Sequence, residues 1–191
     1  MATGYSLIEL VFVAGLVATL SAMAVPQTLA ALDDSRTLGA ARYMSARFQR
    51  ARMEAVMRSV EIGIRFVAVD ASYAYTTYAD GNQNGVRSAD IRSGVDVVIM
   101  PSEQLTELFA HVDFGALPNL PPVDSGGTAP GSDPIRLGSA NIASFNPNGT
   151  STSGSVYIRG QRAQYVVRIY GDTGKTRIMR YDAVNKQWVP L

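Results

Sequence analysis

Seventeen consecutive residues, Leu10 to Pro26 (LVFVAGLVATLSAMAVP), carry no formal charge, and no other feature limits the chain so strongly. As a helix this run spans about 26 Å at 1.5 Å per residue, close to the roughly 30 Å hydrocarbon core of a bilayer. Extension back to Tyr5 gives twenty-two positions, interrupted only by Glu9 and a few small hydroxyl residues. The segment can therefore insert. A secretory signal carries basic residues ahead of its apolar run; the MATG that precedes this one has none.

Glu9 is the informative residue of the segment. An ionisable group at membrane depth costs roughly a few kcal/mol unless something neutralises it, which makes it a functional candidate. It stands five residues into a chain that begins at Tyr5. A free amino group on Tyr5 of an adjacent helix is a suitable partner and would set the register between subunits. The other reading is a carboxylate that stays at headgroup level near the helix end.

Gly4, Tyr5, Ser6, Leu7, Ile8, Glu9 and Leu10 read G-Y-S-L-I-E-L, which resembles the type III signal of type IV pilins and pseudopilins. Tyr5 stands where the family usually has Phe, and the short leader lacks the family's basic residues. The resemblance implies cleavage after Gly4 by a prepilin peptidase, methylation of the new amino terminus at Tyr5, and a role for Glu9 in recruiting and aligning the subunit. Pro26 falls where such proteins often kink.

From Gln27 to Arg58, Leu29, Leu32, Leu38, Ala41, Met44, Phe48, Ala51, Ala55 and Val56 recur mostly at three- and four-residue spacing, which predicts an amphipathic helix. Ala51-Arg52-Met53-Glu54-Ala55 resembles the A-R-x-E-A element of H-type pseudopilins and FimT-like minor pilins. Alternation over Val60–Val69 and Tyr73–Ala79 predicts an antiparallel pair, and Asp96–Met100 a strand closed by Pro101. The Pro-, Gly- and Ser-rich stretch Leu117–Pro134 reads as a long exposed loop. Strands at Tyr165–Tyr170 and Thr176–Tyr181 flank GDTGK as a hairpin. Phe145-x-Pro147-x-Gly149 and Thr173-Gly174-Lys175 resemble two further motifs of the same family.

The sequence has no cysteine and one histidine, His111, and lacks the nucleophile-elbow, zincin and Walker patterns. No catalytic site and no cofactor is expected, and the acids Asp33 and Asp34 are read as solvating or capping residues. Asp80, Asn82, Asn84 and Gly85 copy the first half of a calcium loop, but position twelve is Ile91 where glutamate is needed; a turn is the better reading, and the segment also resembles one between early strands of H-type pseudopilins. Charge is segregated into basic, acidic and basic blocks. In the last of these Arg168, Lys175, Arg177 and Arg180, interleaved with aromatics, are candidates for phosphate contacts along DNA. Alternating bases on a solvent face give the same pattern, but FimT-like relatives are associated with DNA uptake.

The expected fold is α+β, a type IV pilin fold: a long amino-terminal helix, half transmembrane and half amphipathic, packed on an antiparallel β-sheet domain. Residues 1–4 form the leader, 5–26 the transmembrane and filament-core helix, 27–59 its amphipathic half, and 60–191 the globular domain. The resemblance implies a structural subunit, single-pass in the bacterial inner membrane with its globular domain in the periplasm, assembled into a type II secretion pseudopilus or a type IV pilus. Its partners are then other pilin or pseudopilin subunits, the prepilin peptidase and the inner-membrane assembly platform. A DNA-binding minor pilin is the alternative.

Overall fold

The computed structural model describes Gly4 and residues 6–191. One helix, α1, runs from Leu7 to Arg58 and includes Pro26. At 1.5 Å per residue it is about 78 Å long, far more than a domain of this size needs. Proline at position 26 has no N–H to give to the carbonyl four residues earlier. Ser59, in the left-handed region at φ 55°, ends the helix.

Beyond α1 the chain forms β1 (Ile62–Val69), β2 (Ser72–Ala79), α2 (Ser88–Ser93), β3 (Val97–Gln104), α3 (Leu105–Leu108), β4 (Asp113–Phe114), β5 (Ile135–Arg136), β6 (Ile142–Phe145), β7 (Gly154–Arg159), β8 (Gln164–Tyr170), β9 (Lys175–Asp182) and β10 (Gln187–Pro190). They make two antiparallel sheets, one ordered β3-β2-β1-β6 and the other β10-β9-β8-β7-β4, with β5 also on β7. The loop from Asn146 to Ser153 carries the chain from the first sheet to the second. Its turn is closed by Gly149 N donating to Asn146 O (2.9 Å) and Asn146 N to Thr150 O (2.8 Å).

Both sheets turn their inner faces to α1. Its buried residues Thr37, Ala40, Ala41, Met44, Phe48, Ala51 and Ala55 follow helical spacing, and the alanines let the strands approach closely. They meet Ile62, Ile64, Phe66 and Tyr75 from the first sheet and Phe145, Val156, Ile158, Tyr165, Val167 and Ile169 from the second in one continuous core. This is the expected α+β architecture, a long apolar amino-terminal helix packed on antiparallel sheets.

Two local expectations are corrected. The strand expected to close at Pro101 continues through it to Gln104. β3 is an edge strand, and its register against β2 slips between Tyr75 and Thr77 and again between Thr77 and Tyr78; an edge with bulges tolerates a residue that cannot donate. Residues 117–134 are not exposed throughout. Leu120 is buried, and with Leu117 and Val123 it covers Tyr157, Val166, Met179 and Trp188 on the outer face of the second sheet. Trp188 Nε1 fastens the loop by donating to Pro121 O (3.0 Å).

Candidate membrane and assembly interface

From Leu7 to Leu32 every residue of α1 is exposed, including Leu7, Ile8, Phe12, Leu20 and Met23. An isolated exposed leucine is ordinary, but a continuous apolar rod of about 39 Å is far larger than the apolar patches monomers show to water. The segment is long and apolar enough to cross a membrane. Glu9 lies in its first turn and is exposed. Leu10 N donates to Ser6 O (3.1 Å), so the helix is formed at the glutamate. Gly4 is exposed with open space around it. Tyr5, the other residue of the expected processing site, lies outside the described residues.

At Asp33 the surroundings change. Its Oδ1 accepts from Gln161 N (2.8 Å) and its Oδ2 from Arg162 N (2.8 Å) and Ala163 N (2.9 Å), so one carboxylate holds the whole turn between β7 and β8. Burial alone would raise its pKa, but these amides and the Arg162 charge outweigh burial and hold it below 3.8. Asp34 accepts from Tyr165 Oη (3.0 Å) and pairs with Arg180 Nε (3.2 Å). These acids are therefore not solvating or capping residues; they anchor the helix to the second sheet across more than a hundred residues of sequence. The Ala40–Phe48 stretch adds a second tie: Glu103 accepts from Tyr43 Oη (2.7 Å), Tyr75 Oη (3.0 Å) and Arg47 Nη2 (2.9 Å).

Three sequence motifs meet in space. Gly174 has φ 61° and sits so close to Arg52 that an added Cβ would lie 2.9 Å from its Cδ and 2.7 Å from Gly149 O. Gly149, at φ 88°, lies under the Arg52 guanidinium. The A-R-x-E-A, F-x-P-x-G and T-G-K elements are thus parts of one corner, where the end of α1 meets the β6–β7 loop and the β8–β9 turn.

A family model described as type II transport protein GspH matches residues 40–173, well over half of the chain. The chain belongs to the GspH family. The match begins beyond the exposed half of α1, so it is independent of the G-Y-S-L-I-E-L string. GspH-family membership makes this a structural pseudopilin of type II secretion, a protein that works among other pseudopilins. No curated protein and no solved structure gave a match.

The remaining candidates are dispersed. Asp80 is buried, and its Oδ1 accepts from Asn82 N and Gln83 N while its Oδ2 accepts from Gly85 N (2.7 Å). Asn82 Oδ1 accepts from Asn84 N (3.3 Å), so the loop's oxygens serve its own amides. The four bases of the carboxy-terminal hairpin do not share one face. Arg168 pairs with Asp124 (2.6 Å) beneath the 117–134 loop and lies opposite Arg177. Arg180 projects to the α1 side, toward Asp34. Lys175 and Arg177 are exposed. His111 is exposed at φ 65°.

Proposed function

We propose that this GspH-family chain is cleaved after Gly4 and methylated at Tyr5 by a prepilin peptidase, anchored in the inner membrane by the exposed half of α1, and assembled into a type II secretion pseudopilus. The observation that carries the reading is the exposed rod from Leu7 to Leu32, joined without interruption to a helix half that is packed in a core. Lipid covers such a rod while the subunit waits, and the apolar helices of neighbouring subunits cover it in the fibre. Glu9 is then the one charge that must find a partner in an apolar setting, and the amino group of Tyr5 on a neighbouring subunit supplies it. Pro26 provides a joint between the anchored and packed halves, and the globular domain lies in the periplasm.

Mass spectrometry of the protein taken from assembled pseudopili tests the processing step. The expected species begins at Tyr5 and carries one methyl group; an intact MATG leader in assembled material overturns the reading. DNA uptake is the competing role. Its four bases are divided between two faces of the second sheet, and two of them are engaged by Asp124 and Asp34, which favours the secretion role.

A further inference from the structure

β9 runs beside α1 in the opposite direction. Thr176 Oγ1 lies 2.7 Å from Ser45 Oγ and accepts from Gln49 Nε2 (3.0 Å), and four residues on, Arg180 Nε is 3.2 Å from Asp34. The strand therefore descends toward the exposed half of the helix at about 3.3 Å per residue. The next four residues carry it up to about 13 Å further, the rise of some eight or nine helical residues. Because the long Arg180 side chain itself reaches toward Asp34, this brings the tip of the β9–β10 hairpin to the level of Gln27 to Leu32, the last exposed turns of α1. Two clefts agree with this placement: Pro26, Leu29 and Ala30 line one with Gln161 and Arg162, and Arg162 lines the next with Val184 and Leu191.

The chemistry of this underside is amphipathic. Val184, at the hairpin tip, is 88% exposed, and Lys186 beside it is exposed too. Arg162 is exposed on the β7–β8 turn. Among the described residues neither Arg162 nor Lys186 has an ion-pair partner. Of the acids nearby, Asp33 is turned onto three amides, Asp34 pairs with Arg180, and Asp182 keeps its charge while accepting from Val184 N, Asn185 N and Asn185 Nδ2. Arg162 and Lys186 thus make no salt bridge among the described residues at the depth where the apolar rod meets the packed domain, on a surface they share with the Asp182 carboxylate.

We propose that this underside is a docking surface for anionic phospholipid: Arg162 and Lys186 contact headgroup phosphates and Val184 enters the interfacial layer. The inference rests on the membrane-anchored reading given above. A contact on one side of a single-pass anchor fixes the tilt of the globular domain on the membrane before the subunit joins a fibre. Bases near an anionic surface and one apolar side chain beneath them are the combination that interfacial binding requires.

The full chain has no native thiol, so Val184→Cys gives one site for a nitroxide label, with Val17→Cys and Thr173→Cys as references in the span and at the distal turn. Each protein is placed in nanodiscs of phosphatidylcholine alone or mixed with phosphatidylglycerol, and accessibility to oxygen and to a water-soluble nickel chelate is compared. The expected result is lipid-like accessibility at 184 in the anionic discs only, with Arg162→Gln and Lys186→Gln each lowering the lipid-engaged population roughly fivefold. Position 173 stays in water throughout. Lipid-like accessibility at 17 with water-like accessibility at 184 in both discs overturns the docking surface and leaves the anchor standing. Water-like accessibility at both positions overturns the anchor and the docking surface with it. Lipid contact at 184 that ignores headgroup charge and both substitutions also overturns the proposal. So does retention of duplex DNA that depends on Arg162 and Lys186 while the label at 184 stays in water.

Discussion

The two halves of α1 are continuous in backbone and opposite in circumstance. Leu7 to Leu32 touches almost nothing in its own chain, whereas Asp33 to Arg58 supplies the central stripe of the core. The first half is apolar around its whole circumference, as a helix in lipid must be. The second is apolar on one face and bears arginines on the others. A substitution in the first half should therefore alter what the protein joins, and one in the second should alter whether the domain holds together.

The largest effect is expected at Glu9. Glu9→Ala should leave membrane insertion intact, because the helix becomes more apolar, and should abolish incorporation into pseudopili; Glu9→Gln should be nearly as damaging. Membrane fractionation alongside recovery of sheared fibres measures both. Wild-type incorporation would break the comparison at its first half.

Asp33→Ala should have the reverse signature, destabilising the full chain in detergent by about 2–3 kcal/mol through three amides that lose a charged acceptor, with membrane insertion unchanged. Gly160→Ala should cost about 1–3 kcal/mol by overpacking, because its Cβ would collide with Thr37 Oγ1 and Asp33 Oδ1. Thermal melts followed by circular dichroism read both.

The contribution of Asp33 should also depend on pH. Its folded pKa lies below 3.8, so its stabilisation is fully present above that value and is lost as the pH falls through the folded pKa. Wild type and Asp33→Ala should differ at neutral pH and converge in acid. A gap that persisted in strong acid would show that the amides are held by something other than the ionised carboxylate.

The smallest effects are expected on the hairpin. Arg180→Glu removes a half-exposed pair with Asp34 and should cost no more than about 1 kcal/mol, while Arg177→Glu should change stability by less. Neither should alter retention of duplex DNA in gel shifts at low and physiological salt. Steeply salt-dependent binding that weakened on reversal would revive the DNA-uptake role.

Much of this was legible from residue order. The apolar run, the strands from Ile62 to Ala79 and the β8–β9 hairpin follow from local periodicity, and the motif glycines announced turns, whereas β10 was not expected. Pro101 misled because a proline closes a strand only where its N–H is needed, and at a bulged edge it is not. The 117–134 segment misled because a composition rich in proline and glycine says nothing of the few apolar residues in it that find a sheet face. Asp33 and Asp34 misled because their partners stand more than a hundred residues away.

The sequence by itself determined that one end of this protein must leave water. A run of seventeen residues that is apolar but for two hydroxyl side chains has that consequence in any fold, since the cost of exposing it is set by its own surface. It also determined the motifs that mark the family. Only the tertiary structure decided that Arg52, Gly149 and Gly174 form one corner, that Asp33 holds the β7–β8 turn, and that the basic hairpin divides its charges between two faces. Those facts depend on which backbone groups are brought within hydrogen-bonding distance and on which side of a strand a residue falls, and both are set when distant segments pack.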